Sequence, residues 1–331
     1  MKGMKVVAIG GGTGLAAALR GLKVYVSEPT RPAPFQPIIS RLTAIVTVTD
    51  EGGSSGRLRR EFRILPPGDI RNCLVALAED ETLFARLFNY RFALGRGLKG
   101  HSLGNLFLTA LTHLTGDFAK AVRVSSEVLA IRAEIFPSTL SDVRLKARLR
   151  DGRTIYGESR ISKTRTPIKQ LDIVPPRCRP LPETLAALEQ ADLITLGPGS
   201  LYTSLLPNLL VQGVREQIAR SKALRVYIAN LMTQPGETLC YTAADHLRAL
   251  NKHAGQRLFD VVILNNRELS PALRRRYAAD RAEPVANDLE EIRALGVRPV
   301  LAGLLVEEKH VARHDPRRLA QLLLDLVAQR R

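Results

Sequence analysis

Four glycines crowd the segment Gly10-Gly11-Gly12-Thr13-Gly14, directly after the apolar run Lys5 to Ile9 and before a helical pattern from Leu15 to Leu22. Without Cβ atoms, such a turn lets backbone N–H groups approach a phosphate at the positive end of the helix that follows. The spacing GGGTG is neither the GxGxxG dinucleotide fingerprint nor the GxxxxGK Walker loop, so it supports phosphate or nucleotide binding of a generic kind. Gly11, Gly12, Thr13 and Gly14 are its candidate contacts. A second run of the same design, Leu196-Gly197-Pro198-Gly199-Ser200, also follows a β-rich stretch and precedes an apolar helical one, and offers Gly197, Gly199 and Ser200.

Polar chemistry collects beside these turns. The run Thr47 to Arg59 places Asp50, Glu51, Gly53, Ser54, Ser55 and Arg57 at the end of a strand pattern, where open α/β sheets bind ligands. Its carboxylates, Asp50 and Glu51, are candidates for Mg²⁺ or for sugar hydroxyls, and Arg57 can fork onto a phosphate. Asp69, in Pro66-Pro67-Gly68-Asp69, reads as a helix N-cap. His101 and Asn105, in Gly100 to Leu106, mark another helix entrance, with His101 read first as a capping partner. Asn230 ends one strand pattern, and Asn265-Asn266 end the next, where side-chain amides can read a base or sugar edge. No nucleophile and base pair emerges: His101 has no evident partner, and the Ser54 and Ser55 hydroxyls have no histidine or lysine near them in sequence.

The elements that must carry these loops follow from the hydrophobic pattern. Strand-like runs at Lys5 to Ile9, Leu42 to Val48, Leu193 to Leu196, Arg225 to Ala229, Val261 to Leu264 and Val300 to Leu305 are separated by helical stretches. That alternation predicts an α/β fold: a Rossmann-like, mostly parallel sheet with helices on both faces. Residues 70–115 read as a mainly helical insertion, and the alternation around Asp151-Gly152, from Val143 to Ile161, predicts a β-hairpin. Pro29 to Pro37 cannot be an internal strand or helix, Pro175 to Pro182 reads as a linker, and Leu319 to Val327 as a C-terminal helix.

The chain has 331 residues with 45% hydrophobic composition, enough for a full core. Lys+Arg 49 against Asp+Glu 32 leaves a net charge of +17, a field that attracts polyanions and phosphate esters. Aromatics at 5% and the lack of a compact basic motif argue against specific nucleic-acid binding. Cys73, Cys178 and Cys240 are far apart, which indicates neither a disulfide framework nor a zinc site. Apolar runs fall short of the ~18 to 20 residues of a membrane span, so a cytoplasmic protein with no membrane span is expected. An NAD-dependent oxidoreductase is disfavoured by the off-pattern GGGTG turn and by the missing acid around Pro29 to Pro37.

Taken together, the ordered motifs GGGTGL at 10 to 15, TVTDEGGSSGRLR at 47 to 59, PPGDIRNCLVALA at 66 to 78, GHSLGNL at 100 to 106, GPGSLYTS at 197 to 204, NLMTQPGET at 230 to 238 and RHDP at 313 to 316 resemble the gluconeogenesis factor (YvcK-like) branch of the CofD-like family, from Val6 to about Leu324. The resemblance implies a single CofD-like Rossmann-type domain over residues 1–331. It also implies a cytoplasmic regulatory protein that binds UDP-N-acetylglucosamine and supports cell shape and wall synthesis on gluconeogenic carbon. By the same resemblance, Tyr277 and Arg313 match positions used for the sugar nucleotide. The physics agrees, because a phenol stacks on a uracil and a guanidinium grips a diphosphate. No cofactor is required on this reading, Mg²⁺ accompanies a bound nucleotide diphosphate at most, and a homo-oligomer is expected. The other branch of the family, the 2-phospho-L-lactate transferases, typically reads GGTGTPKL after the first strand, where this chain has Thr13-Gly14-Leu15-Ala16-Ala17. A Mg-dependent transferase acting on a nucleotide diphosphate-linked donor is therefore the alternative. Glu51 stands where the branch usually has a second Asp.

Overall fold

A computed structural model of the chain describes residues 3–26, 38–78 and 83–330. The strands among the described residues are β1 (Met4–Gly10), β2 (Ile39–Val46), β3 (Glu134–Pro137), β4 (Arg144–Leu149), β5 (Thr154–Tyr156), β6 (Ile168–Val174), β7 (Leu193–Leu196), β8 (Leu224–Ile228), β9 (Val261–Asn265), β10 (Arg298–Ala302), β11 (Leu305–Glu308) and β12 (Val311–His314). Seven of them form the central sheet in the order β10-β9-β8-β7-β1-β2-β3, and every pairing within it is parallel. The central strands are apolar along their whole length because both faces are covered; β7, Leu193–Leu196, is buried at every position.

The strand order is what creates a site. From β1 the chain steps outward to β2 and β3, and from β7 it steps the opposite way to β8, β9 and β10. Because the connections leave β1 and β7 in opposite directions, the loops at the carboxyl ends of these two strands diverge into a crevice. β1 and β7 are neighbours in register, Val6 opposite Leu193 and Ile9 opposite Leu196. The two glycine turns therefore leave adjacent strands at the same edge. The helix after the first turn, Gly12–Leu22, buries Leu15, Ala18, Leu19 and Leu22 and packs on the helices Gly68–Leu77 and Pro316–Ala328.

The expected hairpin is present, with Gly152 at φ 89° in its turn, but it belongs to a three-stranded antiparallel sheet in the order β5-β4-β6. The third strand stops at Val174, where Pro175 begins the segment read as a linker; the residue before a proline favours extended backbone, so strand and linker signals coincide. The helical insertion runs past residue 115. Gly116, at φ 67°, ends the helix Leu103–Thr115, and the Asp117 side chain at once caps the next, Phe118–Val128. The expected strand Val300 to Leu305 divides: β10 ends at Ala302, and Leu305 opens the antiparallel hairpin β11–β12. Pro29 to Pro37 lies outside the described residues.

Candidate functional site

The two glycine turns touch. An alanine Cβ built on Gly14 would lie 2.7 Å from the Pro198 carbonyl carbon and 3.2 Å from Gly199 Cα, so only a residue without a side chain permits this approach. Gly12 and Gly197 have φ of 63° and 92°, backbone that glycine adopts without strain. Together the turns form one wall of a cavity of ≈ 500 Å³, lined by Gly11, Gly12, Thr13 and Gly14 from the first and by Gly199 and Ser200 from the second. A volume of this order suits a nucleotide-sized ligand.

Side chains from beyond the switch point hold the second turn. Asn230 Oδ1 accepts the Gly199 N–H at 3.0 Å, and Gln234 Nε2 donates to Ser200 Oγ at 2.8 Å. Glu237 accepts the Tyr202 N–H at 2.8 Å and the Thr203 hydroxyl at 2.6 Å, which ties down the start of the helical segment after the turn. The opposite wall comes from the C-terminal hairpin. Arg313 Nη1 donates to Thr13 Oγ1 at 3.0 Å, bringing the guanidinium onto the first glycine turn across 300 residues of sequence. The Tyr277 hydroxyl accepts the Ala312 N–H at 3.0 Å, and Asn230, Tyr277 and Arg313 all line the cavity.

Carboxyl groups gather below the first turn. Asp69 does not cap its own helix; the N-cap is Pro67, with no side-chain cap. Its carboxylate instead accepts the Gly12 N–H, and burial together with the Asp50 charge pushes its pKa up to about 7. A Cβ on Gly68 would lie 2.5 Å from Asp50 Oδ2, so the helix start abuts the Asp50 carboxylate. Burial raises Glu158 as well, with Asp50 again contributing, and burial raises Glu237 to about 7 against the pull of its hydrogen bonds. Burial holds His314 down to about 4 while its ring donates to the Ala229 carbonyl. Glu158, Gln234, Glu237 and His314 line the cavity without having been singled out as contacts. For Gln234 and Glu237 the signal was positional, a polar run just after β8; Glu158 comes from the small antiparallel sheet, which only the tertiary fold brings here.

Other expected residues lie elsewhere. Asp50, Gly53, Ser54, Ser55, Arg57, Asn105 and Gly197 are not among the lining residues of this cavity. Arg57 Nη2 donates to the Lys99 carbonyl at 2.8 Å. Glu51 faces away, with Oε1 3.7 Å from Arg144 Nε. The absence of a partner for Ser54 is corrected by the fold: Ser54 Oγ is 2.9 Å from His101 Nδ1 and accepts from Asn105 Nδ2 at 3.0 Å. The contact joins residues 47 apart in sequence, which no local pattern reveals. Ser102, not His101, caps the helix, accepting the Asn105 N–H at 3.3 Å. Burial, and after it the Arg57 charge, lowers the His101 pKa. The pair stands outside the cavity and pins Gly53–Phe62 to Leu103–Thr115. Asn265 is consumed by its own loop, where Oδ1 accepts the Leu304 and Leu305 N–H groups.

Two glycine turns, a switch-point crevice and an arginine laid across the first turn define an α/β protein with a polar cleft at the carboxyl edge of its sheet. The sequence matches the family model described as 2-phospho-L-lactate transferase CofD over residues 6–305. It is 52% identical over 325 residues to a putative gluconeogenesis factor of a Nostoc species, covering 98% of this chain and 68% of that protein. To the gluconeogenesis factor of Bacillus subtilis it is 46% identical over 325 residues, 98% of each chain. The crystal structure of a Bacillus halodurans protein superimposes with a TM-score of 0.91 at 45% identity, covering 98% of this chain and 100% of that one. The chain belongs to the CofD-like family, in its gluconeogenesis factor (YvcK-like) branch. No helix among the described residues is long and apolar enough to cross a membrane.

Proposed function

We propose that this chain is a cytoplasmic regulatory protein that binds UDP-N-acetylglucosamine in the cleft between the Gly11–Gly14 and Gly197–Ser200 turns. On this reading it serves, as a gluconeogenesis factor, cell shape and wall synthesis during growth on gluconeogenic carbon. The observation that supports it best is the convergence of both turns and Arg313 on one cavity. Backbone N–H groups at the mouth of the Gly12–Leu22 helix and the Arg313 guanidinium are the partners a pyrophosphate bridge needs. Tyr277 offers a ring for the base, and Ser200, Asn230 and Gln234 offer polar atoms to the sugar or base edge. Self-association into a homo-oligomer is part of the reading, and light scattering on the purified chain checks it. The test of ligand identity is thermal unfolding against UDP-sugars, NAD and guanosine diphosphate compounds. Selective stabilisation by UDP-N-acetylglucosamine is the expected result, and stabilisation by NAD alone overturns the assignment.

A second reading, a Mg-dependent transferase acting on a nucleotide diphosphate-linked donor, is favoured by the acidic pair Asp50 and Asp69 beside Gly12. A carboxyl pushed up by burial and by a neighbouring carboxylate is relieved by a divalent cation. Mg²⁺ typically takes one or two carboxylates and fills the remaining positions with phosphate oxygens and water. Among the described residues no cluster of three or more His, Cys, Asp or Glu is arranged to hold a metal by itself, so the ligand's phosphates would complete the shell. Glu51, turned toward Arg144, is the less suited of the two acids expected there. Incubation with nucleotide diphosphate donors and Mg²⁺ separates the readings: diphosphate cleavage that disappears in Asp50→Asn favours the transferase.

A further inference from the structure

A second cavity, ≈ 280 Å³, opens beside the strap Gly157 to Arg160. Gly157, Ser159 and Arg160 face it, whereas Glu158 between them lines the first cavity. Its remaining wall includes Arg59 and Arg60 from the helix Gly53–Phe62, Arg144 from β4 and Tyr156 from the end of β5. Four guanidinium groups thus surround one lining carboxylate, Glu51. That carboxylate is shared, with Oε1 3.7 Å from Arg144 Nε and 3.9 Å from Arg59 Nη1, distances too long for hydrogen bonds.

Arg59 marks the site as built for an anion. Its side chain is only 6% exposed. Nη2 donates to Asp142 and, at 2.6 Å, to the Val143 carbonyl, while Nη1 is buried with no hydrogen-bond partner among the described residues. An unmet donor on a buried cation costs more than on a neutral group, and like charges crowded in a concave wall repel one another. Asp142 offsets one charge and Glu51 another, which leaves the cavity positive. Arg144, 60% exposed, and the exposed Arg60 and Arg160 can present planar forks to an incoming group. Planar forks suit the oxygens of a phosphate, with the Tyr156 hydroxyl as a further donor.

We infer that this cavity is a second anion site that takes a phosphate dianion, free or as the monoester of a small metabolite, separate from the cleft assigned to the nucleotide sugar. The test is calorimetric titration of the full chain with inorganic phosphate, and in a parallel arm with glycerol 3-phosphate, against chloride at equal ionic strength. Saturable binding is expected in the wild type, kept within about twofold in Arg313→Ala and weakened at least tenfold in the double variant Arg144→Gln, Arg160→Gln. Ser159→Asp, which sets an acid in the wall without removing an arginine, is expected to weaken it to a similar degree and guards against a folding defect in the double variant. Tighter binding of the monoester assigns the site to an ester, tighter binding of inorganic phosphate to the free anion, and either order supports the site. No saturable binding in the wild type, or binding that survives both Ser159→Asp and the double variant, overturns it.

Discussion

Replacing Gly14 by alanine tests the contact on which the cleft depends. Gly14 lies inside the Gly12–Leu22 helix without a positive φ, so alanine suits its backbone and, taken alone, would stabilise the helix by about 1 kcal/mol. The new methyl would lie 2.7 Å from the Pro198 carbonyl carbon, where ordinary contact begins near 3.4 Å. The Pro198 carbonyl oxygen would lie nearer still, and the obstacle is backbone, not the tip of a flexible side chain, so the turns must separate by about an ångström. Forcing a methyl into a packed contact of this kind costs about 1–3 kcal/mol, and displacing a binding loop by that distance is of the size that lowers function about a hundredfold. Urea unfolding of wild type and Gly14→Ala, read beside UDP-N-acetylglucosamine titration, measures both effects. Gly12→Ala is the comparison: its nearest atom would be Ser204 Oγ at 3.8 Å, so it carries only the left-handed backbone penalty of about 1–2 kcal/mol. Wild-type stability and wild-type binding in Gly14→Ala would refute the adjacency of the two turns.

Asp69 gives a pH signature. Its folded pKa is raised to about 7 from 3.8, so between these values the native state keeps a proton that the unfolded chain has lost. Its contribution to stability is therefore full below the unfolded value and falls as pH rises toward 7. Asp69→Asn removes that ionisation, and its stability relative to wild type should improve between pH 5 and pH 8 by on the order of 2–4 kcal/mol in denaturant unfolding; an unchanged difference counts against the buried acid. Arg313→Ala, on a half-buried side chain, should leave stability within about 0.5 kcal/mol of wild type and weaken nucleotide-sugar binding by tenfold or more in a fluorescence or calorimetric titration. Glu237→Gln puts an amide donor where the wild type has only acceptors facing Tyr202 N–H and Thr203; a loss of about 1–3 kcal/mol is expected from denaturation, with weaker ligand binding, and an unaltered melting curve would show that Glu237 does not hold the turn.

Much of the architecture could be read along the chain, because parallel strands buried on both faces are continuous apolar runs and glycine turns between strand and helix are local events. The runs at Lys5 to Ile9 and Leu193 to Leu196 and the turns that follow them needed no tertiary information. Less local were the third strand of the small sheet, hidden against the proline segment, and the β11–β12 hairpin, separated from the apolar run of β10 only by Gly303-Leu304.

The character of the site divides along the same line. Residue types and short spacings were enough to identify two glycine turns, since glycine's tolerance of positive φ and of close backbone approach is a property of a few consecutive residues. Which side chains share the cleft was decided by the order in which strands add to the sheet. That order, with the packing of the two small antiparallel sheets against the large one, sets Arg313 on Thr13, Asn230 on Gly199 and Glu158 near Asp50, and turns Glu51 toward Arg144. It also made Asp69 a partner of the Gly12 amide instead of a helix cap, and gave Ser54 the histidine that nothing within its own segment could supply. Contacts across tens to hundreds of residues depend on sheet topology and packing, which no window of sequence encodes.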